Sequence, residues 1–477
     1  MFTIKKNTVT LIVTVLVLVV MTVATVVLTG INNSEGGGSS AVSSDSPSSV
    51  ARHKFFEFSK DDLKTVEIKN EHGSFILERI KEESSSYLVL KGNEKEKLNS
   101  SAASSSFNYI ANMTSAKFVS SDSEKLSVYG LDAPVITVTA VLNDGSEHSL
   151  YVGGKTPDGS YYANTSDSAD VYVVSTYAIE YFTVKRTELY PTDIFGKLEI
   201  ASFNGFTLLR PDSHDIDIIK LSNEEYEEAT NKAEANIKTQ LELKTPFKYD
   251  VNGVYIENLV KAISELNATE VISDDTSEAN LKKYGLDKPM TFTVKNGNVT
   301  IFIGKKDSMA NVYYVMLEGR DLIYTVSADS LYFVEEGANK FAYSMVGIVA
   351  LKNVASLKIE GGGKSYEFTC GDDFDNLEVF HGTTELPPEE FKKLYQQIFS
   401  ATQNGLADGS HSKELHARIT YNKKDGTKVV IEYYKVDSSR YYAEVNGEGI
   451  FTVRGDMVEK VLADCERILN GEIITVV

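Results

Sequence analysis

Cysteine and tryptophan are the residues that this chain uses least. It contains two cysteines, Cys370 and Cys465, and no tryptophan among 477 residues. So few cysteines exclude a fold held together by several disulfides. Their spacing leaves open either one bridge between them or two separate buried thiols. The absence of tryptophan weakens the interpretation that the chain binds carbohydrate.

The chain also lacks a clustered motif for metal binding or catalysis. Of its seven histidines only His411 and His416 lie close together, and no histidine–cysteine cluster has zinc spacing. Residues 410–413 read Ser-His-Ser-Lys, but the companion motifs of penicillin-recognising acyl enzymes are absent. Residues 361–365 read Gly-Gly-Gly-Lys-Ser without the first glycine of a phosphate-binding loop, and they predict a β-turn. We therefore expect no enzymatic activity and no cofactor.

Basic residues are outnumbered, with 48 lysines and arginines against 68 aspartates and glutamates, which gives a net charge of −20. Such a surface repels nucleic acid, so no nucleic-acid partner is expected. Two acidic clusters stand out: Asp212, Asp215 and Asp217, then Asp372, Asp373 and Asp375. Neither matches a twelve-residue calcium loop. Solvated turns are expected at both places, with loose calcium binding as the alternative.

The most hydrophobic segment lies near the N-terminus, where residues 8–29 form a run of 22 residues without a charge. A helix of this length spans roughly 33 Å, enough to cross a bilayer core of about 30 Å. Lys5 and Lys6 precede it, so the N-terminus is expected in the cytoplasm and the rest outside. The alternative is a cleaved signal peptide. We predict a single-pass cell-membrane protein with a cytoplasmic stub and transmembrane helix over 1–30 and a Gly/Ser-rich linker over 31–53.

One hexapeptide occurs twice, as Tyr-Gly-Leu-Asp-Ala-Pro at 129–134 and as Tyr-Gly-Leu-Asp-Lys-Pro at 284–289. The motif residues are Tyr129, Gly130, Leu131, Asp132, Pro134, Tyr284, Gly285, Leu286, Asp287 and Pro289. The glycine suits the left-handed position after a helix, the leucine then packs on the residue five positions earlier, and the proline prevents helical continuation. The motif therefore predicts a helix stop followed by a strand. The alternative is that the two aspartates are paired site acids.

A similar order of sequence segments follows both hexapeptides: an alternating strand, a turn, a strand ending in glycine, a Tyr-Tyr strand and a short apolar strand. The turns contain Asn143-Asp144-Gly145 and Asn296-Gly297, and a third array has Asp425-Gly426. The third array lacks the hexapeptide and has residues 405–409 near that place. We predict an α+β fold with an N-terminal transmembrane helix and tandem antiparallel β-rich modules with a few packed helices. The modules are expected at 54–195, 196–346 and, as a diverged copy, 347–477.

Each module is expected to open with strands and a helix and to close on a helix. The predicted opening strands are 65–68, 75–80, 87–90, 197–200, 205–209, 356–359 and 365–369. The predicted helices pass through Phe107 and Ala111, from Ser222 to Leu241, from Ile256 to Ile263 and from Pro388 to Phe399. The closing helices are expected at 176–182, 327–334 and 456–469.

Tyrosine pairs recur at 161–162, 313–314, 433–434 and 441–442. Such pairs can form platforms for sugar rings. Tyrosine is also a good strand residue, and neighbours in a strand point to opposite faces, so one of each pair at most packs inward. We favour the structural interpretation.

The order of these segments resembles a bacterial family of domains of unknown function. The resemblance rests on the hexapeptide, the strands that end in Val152-Gly153 and Ile303-Gly304, the Tyr-Tyr strand and the Val-Tyr-Val strand. It covers most of 54–346 and, weakly, 347–477. Members of the family are often membrane-anchored and encoded beside ABC-2 type exporter components and gliding-motility-type auxiliary proteins. The resemblance implies an extracytoplasmic accessory role near an exporter and brings no catalytic residues.

The resulting hypothesis is a non-enzymatic, membrane-anchored accessory protein of an ABC-type export complex. It would act by protein contacts or by holding a substrate, with an ABC-2 type permease or auxiliary protein as its partner. The first alternative is an extracellular protein that binds cell wall or glycan. The second is an envelope enzyme whose carboxylates converge from separate modules without a linear motif.

Overall fold

The computed structural model describes residues 53–194, 202–232, 239–295 and 299–476, without the side chains of 229–232. The predicted transmembrane helix, the linker up to residue 52, the predicted strand 197–200 and the turn Asn296-Gly297 lie outside the described residues. Within the described ranges, no helix combines the length and the apolar character needed to cross a membrane.

Three antiparallel sheets follow one another along the chain. The first contains β1 Leu63–Asn70, β2 Gly73–Lys81, β3 Ser86–Leu90, β4 Lys117–Ser120, β5 Ile136–Leu142, β6 Glu147–Lys155, β7 Tyr161–Thr165 and β8 Ser168–Val174. The second contains β9 Gly205–Leu209, β10 Ile216–Lys220, β11 Leu241–Thr245, β12 Tyr249–Asp250, β13 Glu270–Ser273, β14 Met290–Val294, β15 Val299–Asp307, β16 Val312–Leu317 and β17 Ile323–Ser327. The third contains β18 Val354–Gly361, β19 Lys364–Cys370, β20 Val379–His381, β21 Thr384–Leu386, β22 Gln403–Leu406, β23 Leu415–Lys423, β24 Lys428–Lys435, β25 Arg440–Val445 and β26 Glu448–Arg454.

One topology is repeated in the three sheets. The strand orders are β3-β2-β1-β5-β6-β7-β8-β4, β12-β11-β10-β9-β14-β15-β16-β17-β13 and β21-β20-β19-β18-β23-β24-β25-β26-β22. In each sheet the chain starts in a central strand, moves strand by strand to one edge and crosses to the opposite edge. It then returns to the centre and continues strand by strand toward that opposite edge. The second and third sheets have nine described strands and the first has eight, because the first has no counterpart of β12 and β21.

Eight α-helices connect or flank these strands in the described residues. They are α1 Ser100–Asn108, α2 Thr176–Glu180, α3 Asn223–Lys232, α4 Gly253–Ser264, α5 Glu278–Tyr284, α6 Ala338–Phe341, α7 Pro388–Phe399 and α8 Gly455–Leu469. The helices α1, α4 and α7 make the crossing from one sheet edge to the other. The tandem β-rich α+β architecture is therefore confirmed for the described part of the chain.

Local sequence explains the crossing helices. The helix α4 is capped by Asn252, whose side chain accepts from the Tyr255 amide. The helix buries a stripe at i, i+3, i+4 and i+7: Ile256, Leu259, Val260 and Ile263. The helix α7 has Pro388 in its first turn and buries the predicted Phe391, Leu394, Tyr395 and Ile398. The residues of these two stripes belong to the buried core.

Two predicted helices differ from the structure. The expected helix from Ser222 to Leu241 has its predicted capping box, with the Ser222 amide 2.9 Å from Glu225 Oε2 and the Glu225 amide 3.2 Å from Ser222 Oγ. However, its described part ends at Lys232, and Leu241 opens β11, because this segment must return to pair with β10. Residues 233–238 of the predicted helix lie outside the described residues.

The closing helix expected at 327–334 is also wrong. Ser327 still belongs to β17, and the helical turns come later, as a 3-10 helix at Tyr332–Glu335 and as α6. The sequence does not predict β4, β10 to β13 and β20 to β22, because each is only two to five residues long, which is too short to show a clear period. The other closing helices, α2 and α8, lie at the predicted places.

The core is continuous across the three sheets. A single cluster of buried side chains extends from Phe55 to Ile474. Between the second and third sheets, Phe247 and Tyr249 place their rings 5.4 Å and 5.0 Å from that of Phe451. The sheets therefore share apolar surface.

The structure decides between the two alternatives for the cysteines. Cys370 lies at the end of β19 and Cys465 in α8, and both are free and buried. Burial raises the pKa of the Cys370 thiol to about 11 and raises that of Cys465 further. The two residues are separate buried thiols.

Candidate interaction site

The two hexapeptides form the predicted helix stops. Gly130 and Gly285 have φ values of 69° and 71°, in the left-handed region. The Leu131 amide donates to the Leu126 carbonyl at 3.0 Å, and the Leu286 amide donates to that of Leu281 at 2.8 Å. This is the hydrogen bond of a Schellman cap. The preceding element is α5 in the second copy but a 3-10 helix, Ser123–Tyr129, in the first.

The glycine that ends the following strand has a specific role in the same assembly. A β-carbon on Gly153 in β6 would overlap the Tyr129 carbonyl oxygen, and one on Gly304 in β15 would overlap that of Tyr284. The helix stop therefore rests directly on the backbone of this strand. In both copies the hexapeptide is thus in contact with the second strand that follows it.

The remaining motif residues are placed around this contact. Tyr129 has its ring 4.9 Å from that of Tyr162, and Tyr284 has its ring 4.7 Å from that of Tyr314. Leu131 and Leu286 are buried, Pro134 and Pro289 are half-buried, and Asp132 and Asp287 are exposed. The two aspartates belong to different sheets and have no role in the caps.

The tyrosine pairs follow strand alternation. Tyr313, Tyr433 and Tyr441 are buried, and each has a half-buried neighbour on the other face. In the first pair, Tyr161 and Tyr162 are both half-buried. These rings serve first as strand packing.

Acids of both clusters accept hydrogen bonds from their own chain. Asp215 accepts from the Arg210 amide at 2.9 Å, Asp217 pairs with Lys295, and Asp373 accepts from the Asp375 amide at 2.9 Å. No group of three metal-ligating side chains occurs among the described residues. Calcium binding stays a prediction for an experiment.

Separate histidines stack on tyrosines. His411 lies 4.2 Å from the Tyr442 ring and His416 lies 4.6 Å from the Tyr441 ring, and His416 Nε2 is 2.7 Å from Glu459 Oε1. The two histidines therefore contact different tyrosines and do not form one common site.

A concave surface lies beside β3, at the edge of the first sheet. This β3 cleft has a volume of about 600 Å³, within the usual range of ligand pockets. Its walls are residues 86–89 of β3, residues 94–98 and one side of α1, with Arg79 contributing from β2. The α1 side chains that line it, Ser100, Ala103, Ser104 and Asn108, are small or polar.

Arg79 supplies positive charge to the β3 cleft. Its guanidinium donates to the Lys60 carbonyl at 2.7 Å and to Asn108 Oδ1 at 2.9 Å, and it lies 4.8 Å over the Phe107 ring. Burial lowers its pKa below the ordinary value. Within the described ranges it forms no ion pair with a carboxylate, and neither does Lys97.

A buried ion pair fixes the outer wall of the cleft to the second sheet. Glu96 accepts from Arg320 Nε at 2.5 Å and from the Asp321 amide at 2.6 Å, and its side chain is 2% exposed. Next to it Lys95 pairs with Asp321. On the other side Tyr190 donates to Asp274 at 2.7 Å and accepts from Asn93 at 3.0 Å, and burial raises the pKa of Tyr190.

Sequence reasoning missed this cleft. A signal was present in β2, where Phe75 and Leu77 face the core and Arg79 takes the next inward position. A charged residue at an inward strand position indicates either a buried partner or an opening. The other wall depends on Arg320, 224 residues away from Glu96, which no local pattern reveals.

Comparison with known families settles the relationship of the chain. A family described as a domain of unknown function, DUF4340, matches residues 89–245 and 242–417. The two matches together cover more than half of the sequence. The chain belongs to the DUF4340 family. No curated protein and no solved structure matches it.

The two DUF4340 matches are shifted relative to the sheets. The first runs from β3 to the end of β11, and the second runs from β11 into β23. Each match therefore covers the later part of one sheet, the junction and the opening strands of the next. The module limits drawn from the sequence stay a prediction.

Proposed function

We propose that this DUF4340 protein is a non-enzymatic, membrane-anchored extracytoplasmic accessory of an ABC-type export complex, acting by protein contacts or by holding a substrate. The observation that carries the proposal is the repeated topology itself. Three sheets of one strand order share a continuous core, which is an arrangement suited to presenting surfaces at fixed spacing. The uncharged run at residues 8–29 supports the membrane anchor, and the family resemblance supports the exporter.

The cell-membrane location with an outward bulk has its own test. A cysteine-reactive, membrane-impermeant reagent is applied to intact cells that carry the chain with an added cysteine at exposed Ser105 or with one at residue 3. The proposal expects labelling at Ser105→Cys and protection of Thr3→Cys until the membrane is opened. The reverse pattern contradicts the topology.

The partner is tested by crosslinking in intact cells followed by identification of the captured proteins. Recovery of an ABC-2 type permease or an auxiliary protein of the same complex supports the proposal. A chain that is recovered alone, with only wall polymer attached, contradicts it and favours the glycan-binding alternative.

One observation favours that alternative enough to deserve a test. The side chain of Tyr177 is 65% exposed and does not belong to the buried core. Tyr181 donates a hydrogen bond to the Tyr177 hydroxyl at 3.0 Å and stacks on the Tyr109 ring at 4.2 Å. Exposed aromatic rings of this kind can accept a sugar ring. Retention of the wild-type chain on purified wall polymer, lost in Tyr177→Ala, is the expected outcome for a glycan-binding protein.

A further inference from the structure

Among the described residues, the first sheet has one strand fewer than the other two, and the β3 cleft lies where that strand would be. In the second and third sheets the edge strand is β12 or β21, and each directly precedes the crossing helix, α4 or α7. In the first sheet the segment that precedes α1 is residues 91–99, and it forms turns instead of a strand. The edge strand is therefore β3, and the cleft separates it from residues 94–98.

The pairing registers of the strands place the missing strand residue by residue. Leu243 of β11 faces Tyr249, and Glu242 faces Asp250. In the third sheet Val379 faces Leu386, and Phe380 faces Glu385. The pairings β2–β3, β10–β11 and β19–β20 allow the three sheets to be aligned residue by residue. In this alignment Leu88, Val89 and Leu90 of β3 correspond to the residues of β11 and β20 that face β12 and β21. In the part of the chain that the structure describes, these residues have a partner strand on one side only.

Two contacts explain why the chain does not fill the position itself. Glu96 is held by Arg320 and by the Asp321 amide of the second sheet, which draws residues 94–98 away from β3. The connecting segment also differs. The Asn252 amide donates to the Phe341 carbonyl, and the Asn99 amide donates to the Leu189 carbonyl in the same way. However, the Tyr343 amide, two residues after Phe341, also donates to the Asp250 carbonyl at 2.7 Å. The corresponding residue after Leu189 is Pro191, which has no amide hydrogen.

The open edge of β3 offers backbone groups at known residues. The Lys91 amide donates to the Ile76 carbonyl and the Glu82 amide donates to the Ser85 carbonyl, both at 2.9 Å. In an antiparallel pair the hydrogen-bonded positions alternate, so residues 85, 87, 89 and 91 bond to β2. The amide and carbonyl groups of Ser86 and Leu88 therefore point away from β2, toward the cleft.

The charge of the cleft indicates the kind of segment that fits. Arg79 and Lys97 both line it, and within the described ranges neither forms an ion pair with a carboxylate. The Glu94 carboxylate at the rim already accepts from the Gly92 amide at 2.7 Å. An incoming segment with acidic side chains would complete the charge pairing that the chain leaves open.

We propose that the β3 cleft binds an extended, acidic segment of a partner protein, which pairs with Ser86 and Leu88 and becomes the ninth strand of the first sheet. Strand addition of this kind takes affinity from main-chain hydrogen bonds and selectivity from alternate side chains. The inference rests on the proposed function of protein contact and names the surface and the partner chemistry. The chain itself supplies the two templates, β12 and β21, for the geometry of the added strand.

The test uses the full-length chain and a fluorescent, end-capped seven-residue peptide of alternating valine and glutamate. Two control peptides have lysine in place of glutamate or methyl groups on alternate backbone nitrogens. Binding is measured by fluorescence anisotropy, and hydrogen exchange is followed in the fragment that contains β3. The proposal expects saturable binding of the acidic peptide, slower exchange in β3, and at least about tenfold weaker binding of both controls.

Two matched variants connect binding with the cleft. Ser104 lines it and is half-buried on α1, whereas Ser105 is the exposed neighbour outside it. Ser104→Trp fills the space and should weaken peptide binding at least about tenfold, while Ser105→Trp should leave it within about twofold. Lys97→Glu, at an exposed position, should reverse the preference between the acidic and the lysine peptide without touching the core. Circular dichroism checks that each variant is folded.

Several outcomes would overturn the proposal. These are equal binding of the methylated and unmethylated peptides, equal behaviour of the two tryptophan variants, and unchanged exchange in β3. A dimer of the chain that Ser104→Trp dissolves would place a second copy in the cleft and would also overturn it. If crosslinking in cells recovers an exporter partner equally well with Ser104→Trp, the proposed function stands and this inference fails.

Discussion

Gly153 and Gly154 are adjacent in β6, but the space available for a β-carbon differs between them. A β-carbon on Gly153 would overlap the Tyr129 carbonyl, whereas one on Gly154 would have its nearest neighbour, the same oxygen, at 3.5 Å. We expect Gly153→Ala to lower the free energy of unfolding by about 1–3 kcal/mol, the usual cost of overpacking. Gly154→Ala is the matched control and should be nearly neutral. Urea unfolding of both variants measures the difference, and equal losses would contradict the contact.

Tyr249 gives a prediction for alkaline solution. Burial, followed by the nearby Asp250, raises its pKa from 10 to about 12, and its hydroxyl donates to the Met345 carbonyl at 3.0 Å. The folded state therefore holds this proton more tightly than the unfolded state, so its contribution to stability is complete below pH 10 and is lost as the pH rises from 10 to about 12. We expect Tyr249→Phe to lower the melting temperature at pH 8 by removing the hydrogen bond. The same variant should show a smaller further drop between pH 10 and 12 than the wild type, and parallel drops would show that the phenol is not buried.

At the scale of elements, the helix stop at Gly285 depends on a left-handed residue with no side chain. A β-carbon there would lie 2.9 Å from the Lys305 amide nitrogen, in addition to the backbone strain at a φ of 71°. Gly285→Ala should cost more than the roughly 1–2 kcal/mol expected for the left-handed conformation alone. Gly319→Ala is the control, because Gly319 has a φ of 78° and open space around it. If the two variants lose the same stability, the cap is not packed on β15.

The elements also show what a sequence can reveal. Helices with complete apolar stripes, such as α4 and α7, and turns with Asp-Gly are predictable because their determinants are local. The strands β10 and β11 carry acids and lysines and are strands because each has a neighbour to pair with, Ile218 opposite Leu243 for example. The β3 cleft is less predictable still, because it results from a strand that does not form and from an ion pair across 224 residues.

For the whole molecule, the Glu96–Arg320 pair is the best place to test how the first two sheets are joined. Removing Arg320 leaves the carboxylate of Glu96, 2% exposed, without its cation. We expect Arg320→Met to cost about 3 kcal/mol, the lower range for breaking a buried pair. Lys95→Met removes an ion pair whose side chains are 65% and 40% exposed, and it should cost less than about 1 kcal/mol.

The shape of the unfolding curve separates this joint from a purely local effect. If the pair couples the sheets, urea unfolding of Arg320→Met should show an early transition for the first sheet ahead of the others, while Lys95→Met keeps the wild-type profile. A single transition of unchanged midpoint in Arg320→Met would mean that the shared apolar surface alone holds the sheets together.

The shift between the DUF4340 matches and the sheets bears on how such arrays lengthen. Glu96 and Tyr190 lie in the first match, whereas their partners Arg320 and Asp274 lie in the second. One copy of the matched stretch therefore carries only one half of the joint between two sheets. An array that grows by tandem duplication gains a usable joint only where the added copy and its neighbour supply the two complementary halves.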